Sequence, residues 1–444
     1  MSVNWSLKKI SDICEFQNNK RVPLKSLDRE KRQGEYPYYG ASGIVDYIDN
    51  YIFDGKFLLI SEDGENLRTR NTPIAFQAQG RFWVNNHAHI LAEKEEGILD
   101  YLEYYFSILN INPYITGAVQ PKLNKANLDA IEIPIPPVNE RLLINQILNS
   151  LKEKILLNNQ INQALESIAQ AIFKSWFIDL DPVRAKIIAK QEGKDPELAA
   201  MCAISGKSEA EIEQMAEEDF VELQATAALF PDELVESELG EVPKGWEISK
   251  ISKIGKVITG KTPSSKIENS FAEKGTFFIT PTDIDTEVFV TNTNRYLSEY
   301  GEIAIKNSKV DEGSLCITCI GSQMGKVVIT PKSAFTNQQI NSILLFNSTL
   351  RNYIFLNLRQ RRDEIFLIGS GGSTMPIINK STFESLNLIL PDLALIRKFD
   401  NFISPFFNNI LSNSVENIEL KNIRDALLPE LLAGKINVSM LKDM

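Results

Sequence analysis

The motif with the most specific chemical meaning in this sequence is GKVITGKT, from Gly255 to Thr262. It satisfies the G-x-x-x-x-G-K-[ST] pattern of a loop that binds nucleotide phosphates. Such a loop follows a buried parallel strand and opens a helix, whereas the preceding WEISKISKI is too polar for a buried strand. We therefore expect a loop that brings Lys261 to a phosphate backbone, and we keep nucleotide hydrolysis as a less favoured alternative.

Two further motifs contain residue types that bind metals. His87 and His89 are the only histidines, and alternate residues of a strand face the same side. Cys316 and Cys319 form a single C-x-x-C in an apolar segment, whereas zinc or redox sites need a second ligand pair or a helix start. We expect a hydrogen-bonding strand and core cysteines, with no metal site. Two histidines also leave no credible serine–histidine–acid set.

Polar side chains that could contact DNA are spread over both halves of the chain. Lysine and arginine neutralise phosphates, and guanidinium and amide groups hydrogen-bond with base edges. For any single residue a solvated surface charge is the simpler interpretation, so only the set is informative. The candidates are Lys20, Arg21, Arg68, Arg70 and Arg81 in the first half, and Lys261, Thr262, Gln323, Lys326 and the cluster Arg359, Arg361 and Arg362 in the second.

The formal net charge of −11 is unusual for a protein that binds DNA, but its distribution removes the conflict. Residues 179–245 contain 6 Lys and Arg against 17 Asp and Glu, which accounts for the whole excess. The rest of the chain is near neutral and can therefore form local basic patches. The charge pattern permits DNA binding without demonstrating it.

Length and composition indicate a globular protein of more than one domain. A chain of 444 residues with 43% hydrophobic residues is too long for a single ordinary core. No apolar run approaches the roughly 20 residues of a membrane span, and the N-terminal segment has no signal-peptide pattern. Four cysteines do not make a disulfide framework. We expect a cytoplasmic protein that has no contact with membranes.

An internal repeat indicates how the candidate residues are positioned. QPKLNKANL, which contains Asn124, resembles MPIINKSTF, which contains Asn379, at a shift of 255 residues. WSLKKISDI resembles WEISKISKI at a shift of 241, and NNHAHIL resembles NQQINSI at a shift of 252. The constant order predicts a duplicated unit. Asn124 and Lys125 are then turn and capping residues before a helix, and the second copy's loss of both histidines disfavours a metal site.

A long helix is predicted after each copy, because apolar residues recur there with heptad spacing. Asn158 and Asn413 share one seam position, where a polar residue can fix register. Pro405 should kink or reset the second helix. Two seams of one period favour packing of the helices on each other over packing of each helix on its own domain, and about 35–40 residues span about 55 Å. The seam positions are Ile147, Leu151, Lys154, Asn158, Ile161, Leu165, Ile168 and Ile172, and Phe402, Phe406, Asn409, Asn413, Glu416, Leu420, Ile423 and Leu427.

These patterns predict an α+β chain in which each of two strand-rich domains precedes a long helix. The acidic segment between the halves is interpreted as a solvated, partly helical spacer. The predicted boundaries are residues 1–136 for the first domain, 137–186 for the first helix, 187–245 for the acidic linker, 246–391 for the second domain, and 392–444 for the second helix and C-terminal tail.

Over essentially its whole length the chain resembles the specificity (S) subunits of type I restriction–modification systems. The resemblance rests on QPKLNKANLDAIEIPIPPVNERLLI, AIFKSWFIDLDPVRAK, LGEVPKGWEI and IRDALLPELLAGKI, in this order. It implies two target recognition domains separated by two long antiparallel helices, related by a pseudo-twofold internal repeat. YPYYGASGIVDYI and FITPTDI also look like family loops near DNA. They add Tyr38, Tyr39, Ser42, Thr280 and Thr282 to the candidate contacts.

The resemblance also implies a function. Each recognition domain would recognise one half of a split site in double-stranded DNA, and the helices would set the spacing and dock two modification (M) subunits. Those partners would bind S-adenosylmethionine and methylate adenine, and restriction (R) subunits would complete the nuclease. The chain itself would have neither catalytic activity nor a cofactor. The alternative from another class is a scaffold that joins protein partners without DNA.

Overall fold

The computed structural model describes residues 5–117, 119–371 and 376–438. Contacts divide the chain into two compact units. The first unit comprises the described residues up to Leu156 together with those from Ile418 onward, and the second comprises Leu157–Asn417. Within the described ranges, no helix has both the length and the apolar character that a membrane span requires.

The first unit combines a sheet with several short helices and the start of a long one. Its strands are β1 (Ser6–Lys8), β2 (Cys14–Phe16), β3 (Gln33–Gly40), β4 (Gly43–Ile48), β5 (Phe53–Ser61), β6 (Ala75–Val84), β7 (Ala88–Glu93) and β8 (Ile133–Ile135). Its helices are α1 (Ile10–Ile13), α2 (Ser26–Glu30), α3 (Asn66–Thr69), α4 (Ile98–Ile108), α5 (Lys125–Asp129) and α6 (Val138–Phe173).

A six-stranded sheet in the order β2-β7-β5-β6-β3-β4 organises the first unit. β5 pairs antiparallel with both β6 and β7, and β3 runs parallel to β6. Leu58 to Ser61 in β5 and Ala88 to Leu91 in β7 are buried without alternation, because these central strands are covered on both faces. The main core of this unit also includes Leu148 of α6 and Leu428.

The second unit begins within α6, continues with an acidic helical segment and ends within another long helix. Its strands are β9 (Leu234–Ser237), β10 (Gly240–Pro243), β11 (Glu247–Lys250), β12 (Gly255–Thr259), β13 (Phe271–Ala272), β14 (Thr276–Ile279), β15 (Tyr296–Leu297), β16 (Lys309–Val310), β17 (Leu315–Thr318), β18 (Val327–Ile329), β19 (Ala334–Thr336), β20 (Ile340–Leu345) and β21 (Asn387–Leu390). Its helices are α7 (Asp181–Gln191), α8 (Pro196–Ser205), α9 (Glu209–Glu213), α10 (Glu217–Ala227), α11 (Ile251–Ile254), α12 (Glu299–Ala304), α13 (Arg351–Gln360), α14 (Arg362–Ser370), α15 (Lys380–Glu384) and α16 (Leu393–Leu432).

Two sheets organise the second unit, a four-stranded one in the order β12-β20-β17-β18 and a five-stranded one in the order β13-β15-β14-β19-β16. The largest core joins the four-stranded sheet to the helices. At its centre the ring of Phe177 lies edge-on to Tyr353 at 4.9 Å and to Phe399 at 5.0 Å. A π-helical stretch, Lys174–Ile178, follows α6 and places Phe177 in this cluster.

Strand pairing repeats residue by residue in the two halves. In β1 and β8, Ser6 lies opposite Ile135, and in β11 and β21, Glu247 lies opposite Leu390. These four positions are related by the shifts of 241 and 255 residues seen in the sequence. β1 and β8 therefore pair in the same register as β11 and β21.

The repeat extends into the sheets. β2 pairs with β7 as β12 pairs with β20, again at shifts of 241 and 252. A parallel strand pairing in each half also corresponds, since Tyr39 lies opposite Val84 and Ile279 lies opposite Thr336. The predicted α+β fold with an internal repeat is confirmed by these registers.

The repeated asparagines cap short helices just before the last strand of each half. The Oδ1 atom of Asn124 accepts a hydrogen bond from the N–H of Asn127 at 2.9 Å, and α5 begins at Lys125. Asn379 does the same for the N–H of Thr382, also at 2.9 Å. Such N-caps satisfy backbone donors that a helix start leaves without a partner. The capping role predicted for this motif is confirmed.

The two long helices run antiparallel where they meet in the second unit. Asn162 of α6 lies 3.3 Å from the hydroxyl of Ser414, and further along α6 the ring of Phe173 lies 6.0 Å from that of Phe399. α6 has 36 residues and α16 has 40. α16 does not end or restart at Pro405, so the predicted reset is wrong. Pro405 is exposed, where water can satisfy the carbonyl that loses its helical partner.

The predicted seam has the wrong phase. Ile161 and Ile168 are 38% and 46% exposed, and Phe402 is 52% exposed. Each helix has apolar residues at adjacent positions, so a heptad template fits two neighbouring stripes and does not identify the buried one. The observed stripe lies mostly one residue further along and includes Leu148, Ile155, Asn158, Ala169 and Phe173 in α6, and Ile403, Phe407, Ile410, Asn417, Leu428 and Leu431 in α16.

Polar seam residues do pair between the helices, but not as predicted. The Nδ2 atom of buried Asn158 donates to Oε2 of Glu416 at 2.7 Å and to Oδ1 of Asn417 at 2.9 Å. Asn413 donates instead to Oδ1 of Asn162 at 2.9 Å. The two asparagines of the predicted shared position therefore belong to separate hydrogen-bonded groups, one turn apart along the interface.

The acidic segment is a folded helical element and not an extended spacer. Lys186 is buried and donates to Glu197 and to the carbonyl of Phe230, both at 2.8 Å. The ring of Phe230 lies edge-on to Trp176 at 5.3 Å, which attaches the segment to the end of α6. The segment also has a small core of its own, formed by Ala200, Met201, Ile212 and Ala227.

Candidate nucleic-acid interface

Loops of the first unit converge at one edge of its sheet. The hydroxyl of Ser61, at the end of β5, donates to the carbonyl of Ala41 between β3 and β4 at 2.5 Å. The N–H of Glu62 donates to the carbonyl of His87 between β6 and β7 at 2.8 Å. Arg21, after β2, donates to the Glu62 carboxylate at 2.5 Å. We call this surface the first loop edge, residues 17–22, 41–42, 61–63 and 85–88.

A charged network holds the first loop edge together. Besides Arg21, the Glu62 carboxylate faces the ammonium of Lys122 at 3.4 Å and Nδ1 of His89 at 3.7 Å. Burial alone would raise the pKa of Glu62, but the hydrogen bond from Arg21 and the positive charges of Arg21 and Lys122 lower it overall. The Arg21 side chain is only 16% exposed. It is therefore a structural ion-pair partner and not a free cation for phosphate.

His89 is a structural hydrogen-bonding residue. Its Nε2 atom lies 2.7 Å from the carbonyl of Leu123, so Nε2 carries the hydrogen, and Nδ1 accepts from Asn18 at 2.9 Å. Burial lowers the pKa of His89 and keeps it neutral. The corresponding residues of the second half make the same link, since Thr259 donates to Asn341 at 2.7 Å. Both ring nitrogens thus have protein partners, as expected for a hydrogen-bonding strand.

Corresponding loops of the second unit also converge. The N–H of Lys261, after β12, donates to the carbonyl of Thr336 at 2.9 Å, at the end of β19. The N–H of Cys319, after β17, donates to the carbonyl of Gln339 at 2.8 Å. The loop after β14 lies beside them, because β14 pairs in parallel with β19. We call this surface the second loop edge, residues 260–262, 280–285, 319–326 and 336–339.

The GKVITGKT motif is part of this edge and does not form a phosphate-binding loop. β12 is antiparallel to β20, and the next α-helix along the chain is α12. Its glycines have packing reasons. A Cβ atom on Gly260 would lie 2.1 Å from the carbonyl oxygen of Asn337, and one on Gly255 would lie 2.7 Å from that of Leu344. Close backbone contacts therefore explain the two glycines of the motif, and Lys261 is exposed.

The C-x-x-C cysteines are core residues, as predicted. Cys316 and Cys319 are free thiols with almost no exposed surface. Burial raises the pKa of Cys316 to about 12 and that of Cys319 to about 11. Cys14 is equally buried, and burial raises its pKa to about 12. We call these three the buried thiols; their high pKa values leave little of the thiolate that redox or metal chemistry needs.

Besides Arg21, two predicted contacts fall on the first loop edge and two lie just before it in β3. Lys20 and Ser42 are exposed there. Tyr38 is 1% exposed, and its hydroxyl accepts from the N–H of Leu24 at 2.9 Å. Tyr39 is half-buried against two phenylalanine rings, and burial raises its pKa. Of these residues, only Lys20 and Ser42 can meet a ligand without rearrangement, and Tyr38 belongs to the core.

Three predicted arginines lie outside the contacts that define the first loop edge. Arg68 is exposed on α3 and donates to the carbonyl of Gly117 at 2.9 Å. Arg70 has a φ of 50° and donates to carbonyl groups at the C-terminal end of α4, which it caps. Arg81 pairs with Asp54 at 3.2 Å, with both side chains more than half exposed. Arg70 is thus a structural residue.

The predicted contacts of the second half come together more completely. Thr280 caps the turn that follows β14 through Asp283, whose carboxylate it contacts at 2.6 Å. Lys326 pairs with Asp285 at 2.7 Å and is only 17% exposed. The residues that share the second loop edge are Lys261, Thr262, Thr280, Thr282, Gln323 and Lys326, of which Lys261, Thr282 and Gln323 are exposed.

The arginine cluster at the end of α13 divides in the structure. Arg359 is mostly buried and pairs with Glu166 of α6 at 2.9 Å. Burial lowers the pKa of Arg359 and raises that of Glu166, and the opposite charge of each partner acts against these shifts. Arg361 pairs with Glu364 at 2.7 Å, and Arg362 is exposed. Among the described contacts of this cluster, only that of Arg359 attaches α13 to α6.

The comparison with known families decides the classification. The family model described as "Type I restriction modification DNA specificity domain" matches residues 2–167 and 243–422. The chain belongs to this family. The two matched segments contain the two repeated halves, and the resemblance stated from the sequence is confirmed.

Individual members of the specificity-domain family match the chain along almost its full length. The specificity subunit of the type I restriction enzyme HindI from Haemophilus influenzae is 39% identical over 436 residues, covering 95% of this chain and 91% of that protein. The MjaIX specificity subunit from Methanocaldococcus jannaschii is 26% identical over 464 residues, covering 99% and 95%. A crystal structure of the S subunit of a type-I restriction–modification system from M. genitalium matches the fold, with a TM-score of 0.60 at 13% identity over 97% of this chain and 96% of that one.

Sequence reasoning missed residues that now stand out on the loop edges of this family member. The sequence predicts a hydrogen-bonding strand at His87 and Gln339 but does not single these two out among the DNA contacts, and it gives no prediction for Asp63 or Gln338. Asp63 contacts His87 at 2.9 Å, and Gln338 accepts from Thr262 at 2.8 Å. The repeat itself contained the signal, because NNHAH aligned with NQQIN places His87 and Gln339 at corresponding positions.

Proposed function

We propose that this chain is the DNA-recognition subunit of a type I restriction–modification complex, and that each half recognises one part of a two-part site in duplex DNA. Membership of the specificity-domain family and the names of its relatives support this proposal. The observation that carries it is the pair of loop edges, which share backbone contacts and differ in side chains. A repeated frame with different polar groups is what recognition of two different half-sites requires.

The polar groups of the two edges differ in kind. The first loop edge is ionic and includes Arg21, Glu62, Asp63 and His87. In the second edge Thr262 and Gln339 stand where the first has Arg21 and His87, and the uncharged Cys319 and Ile320 stand where it has Glu62 and Asp63. Lys20 and Lys261 also correspond, at a shift of 241 residues, and within the described part of the chain neither has an ion-pair partner. We assign both lysines to backbone phosphates, and the surrounding polar groups to bases.

The chain acts in this proposal without catalysis of its own. Adenine methylation with S-adenosylmethionine belongs to two modification subunits that dock on the long helices, and restriction subunits complete the nuclease. Exposed apolar residues on those helices support docking there, because such stripes mark interaction surfaces. On α6 they are Leu156, Leu157, Ile161 and Ile168, and on α16 they are Phe402, Val415 and Ile423.

Binding of the purified complex to duplex DNA at several salt concentrations tests the proposal. We expect affinity to fall steeply as salt rises, because phosphate contacts release counterions. Methylome sequencing of the host with and without this gene should then show one two-part adenine methylation motif that depends on the gene. A complex that assembles but binds DNA without salt dependence, and leaves the methylome unchanged, would favour a protein scaffold instead.

We further propose that α6 and α16 set the gap between the half-sites. Their uninterrupted helical structure over 36 and 40 residues supports this role. Changing the length of both helices by matched insertions should change the gap and leave both half-site sequences as they were. Altered half-sites with an unchanged gap in the methylome of such a variant would contradict the idea.

A further inference from the structure

Residues 87 and 339 occupy one position in the repeated fold. His87 follows Asn85 by two residues, and the Oδ1 atom of Asn85 accepts the N–H of His87 at 2.8 Å. Gln339 follows Asn337 in the same way, with a corresponding distance of 3.0 Å. The carbonyls of residues 87 and 339 both accept a backbone N–H from the neighbouring loop, at 2.8 Å. The backbone therefore presents these two side chains at equivalent places on the two loop edges.

The surroundings of His87 fix which of its ring nitrogens is available. Nδ1 lies 2.9 Å from both carboxylate oxygens of Asp63. An ionised carboxylate only accepts, so Nδ1 carries the hydrogen and a neutral ring leaves Nε2 as an acceptor. The His87 side chain is 47% exposed while that of Asp63 is 16% exposed. Among the described residues nothing hydrogen-bonds with Nε2, so the imidazole offers an acceptor to an outside ligand.

The surroundings of Gln339 leave a hydrogen-bond donor available, whereas those of His87 leave an acceptor. Its Oε1 atom accepts a hydrogen bond from Nδ2 of Asn337 at 3.0 Å. The amide nitrogen of Gln339, with two donor hydrogens, has no partner in the part of the chain that the structure describes. The second half has Ile320 where the first has Asp63, as their matching isolated bridges to Ile377 and Lys122 show. Only the first half can therefore orient a ring in this way.

We propose that His87 and Gln339 are equivalent base-contacting positions with opposite hydrogen-bonding character. His87 accepts from the amino group of adenine or cytosine in the major groove, and Gln339 donates to guanine O6 or thymine O4. Asp63 is a positioning residue that sets the tautomer of His87. This inference rests on the proposed function and adds a chemical reason for unlike half-sites: one fold position presents an acceptor in one half and a donor in the other.

Substitution of Asp63 tests the tautomer directly. In Asp63→Asn the new amide can donate to Nδ1, which moves the hydrogen of the neutral ring to Nε2. His87 then offers a donor instead of an acceptor. We expect the base preference at one position of the first half-site to change from adenine or cytosine to guanine or thymine. His87→Ala should instead lose discrimination at the same position by about fivefold to tenfold.

The measurement uses the complete complex with its modification subunits. Its methylation motif is first determined by methylome sequencing, and affinities are then measured for duplexes that carry each base at each position of the site. Gln339→Ala is the matched control, and it should relax one position of the other half-site only. Discrimination at the untouched half-site shows that each variant is folded, because both halves belong to one chain.

The outcomes separate the two proposals. A change confined to one position, in both Asp63→Asn and His87→Ala, supports the inference. An unchanged preference, or a loss of affinity that is uniform over all bases, overturns it, since a merely structural role lowers binding without altering discrimination. A wild-type complex that shows no two-part motif would refute the proposed function itself, independently of these variants.

Discussion

Asn158 gives the sharpest prediction about how the two long helices are held together. It is fully buried and donates to Glu416 at 2.7 Å and to Asn417 at 2.9 Å. A hydrogen bond to a carboxylate contributes about 1.5–3 kcal/mol and one to an amide about 1 kcal/mol. Asn158→Ala loses both and regains about 0.6 kcal/mol of helix propensity. We expect the free energy of unfolding to fall by about 2–3 kcal/mol.

Thermal unfolding of the full chain measures this loss. For a unit of the size of Leu157–Asn417, the second unit, about 2–3 kcal/mol corresponds to a decrease of about 4–10 °C in the midpoint of its transition. Gln163→Ala is the matched control, because Gln163 is exposed on the same helix and has no described hydrogen bond. It should change the midpoint by no more than about 1 °C, since surface substitutions have small effects.

The result that would refute this reasoning is equal stability of the two variants. It would mean that the hydrogen bonds of Asn158 are fully replaced by water, and that the seam is not the buried interface described. Asn158→Leu adds a second check. It should recover part of the stability by apolar burial, about 1.5–3 kcal/mol, while Glu416 loses one of its partners.

Three other predictions concern surfaces and buried charges. Lys261→Ala should weaken DNA binding at every sequence and reduce the slope of log affinity against log salt by about 1, whereas Lys190→Ala, on the acidic segment, should leave the slope unchanged. Arg359→Met should cost about 3–5 kcal/mol in urea unfolding at pH 7. Burial raises the pKa of Glu166, so the stability that this carboxyl contributes is present below its unfolded pKa and is lost as pH rises through its folded pKa. The Arg359→Met variant should therefore lose less stability near pH 5 than at pH 7. Arg359→Met combined with Glu166→Gln should recover most of the loss. In a thiol-reagent assay at pH 8, partly exposed Cys202 should react in the native chain and the three buried thiols only after denaturation; early reaction of the latter would contradict their placement.

The repeat made the fold class and several details predictable from one sequence. Because Asn124 and Asn379 stand at one place in two copies, their capping role could be inferred without coordinates, and the structure shows both caps. The same comparison correctly weakened the phosphate-loop interpretation. Comparing the two copies separates features that the fold requires, which recur in both halves, from features that only one half has.

The rest depended on burial, which residue type does not reveal. Arg21, Tyr38 and Arg70 have the side chains of DNA contacts, but the structure uses them for an ion pair, a core hydroxyl and a helix cap. The helix seam failed for a related reason, because Ile161 and Ile168 fit a heptad as well as the buried positions do. In each case the burial of the side chain depends on how the chain folds, and residue type and spacing alone do not reveal it.

The central claim is that each half of the chain recognises its own half-site. The most direct test replaces residues 246–391 with the corresponding segment of the Haemophilus influenzae relative and determines the methylome of cells that produce the hybrid complex. We predict that one half-site changes while the other half-site and the gap are retained. A motif that changes in both halves, or that does not change at all, would contradict the claim.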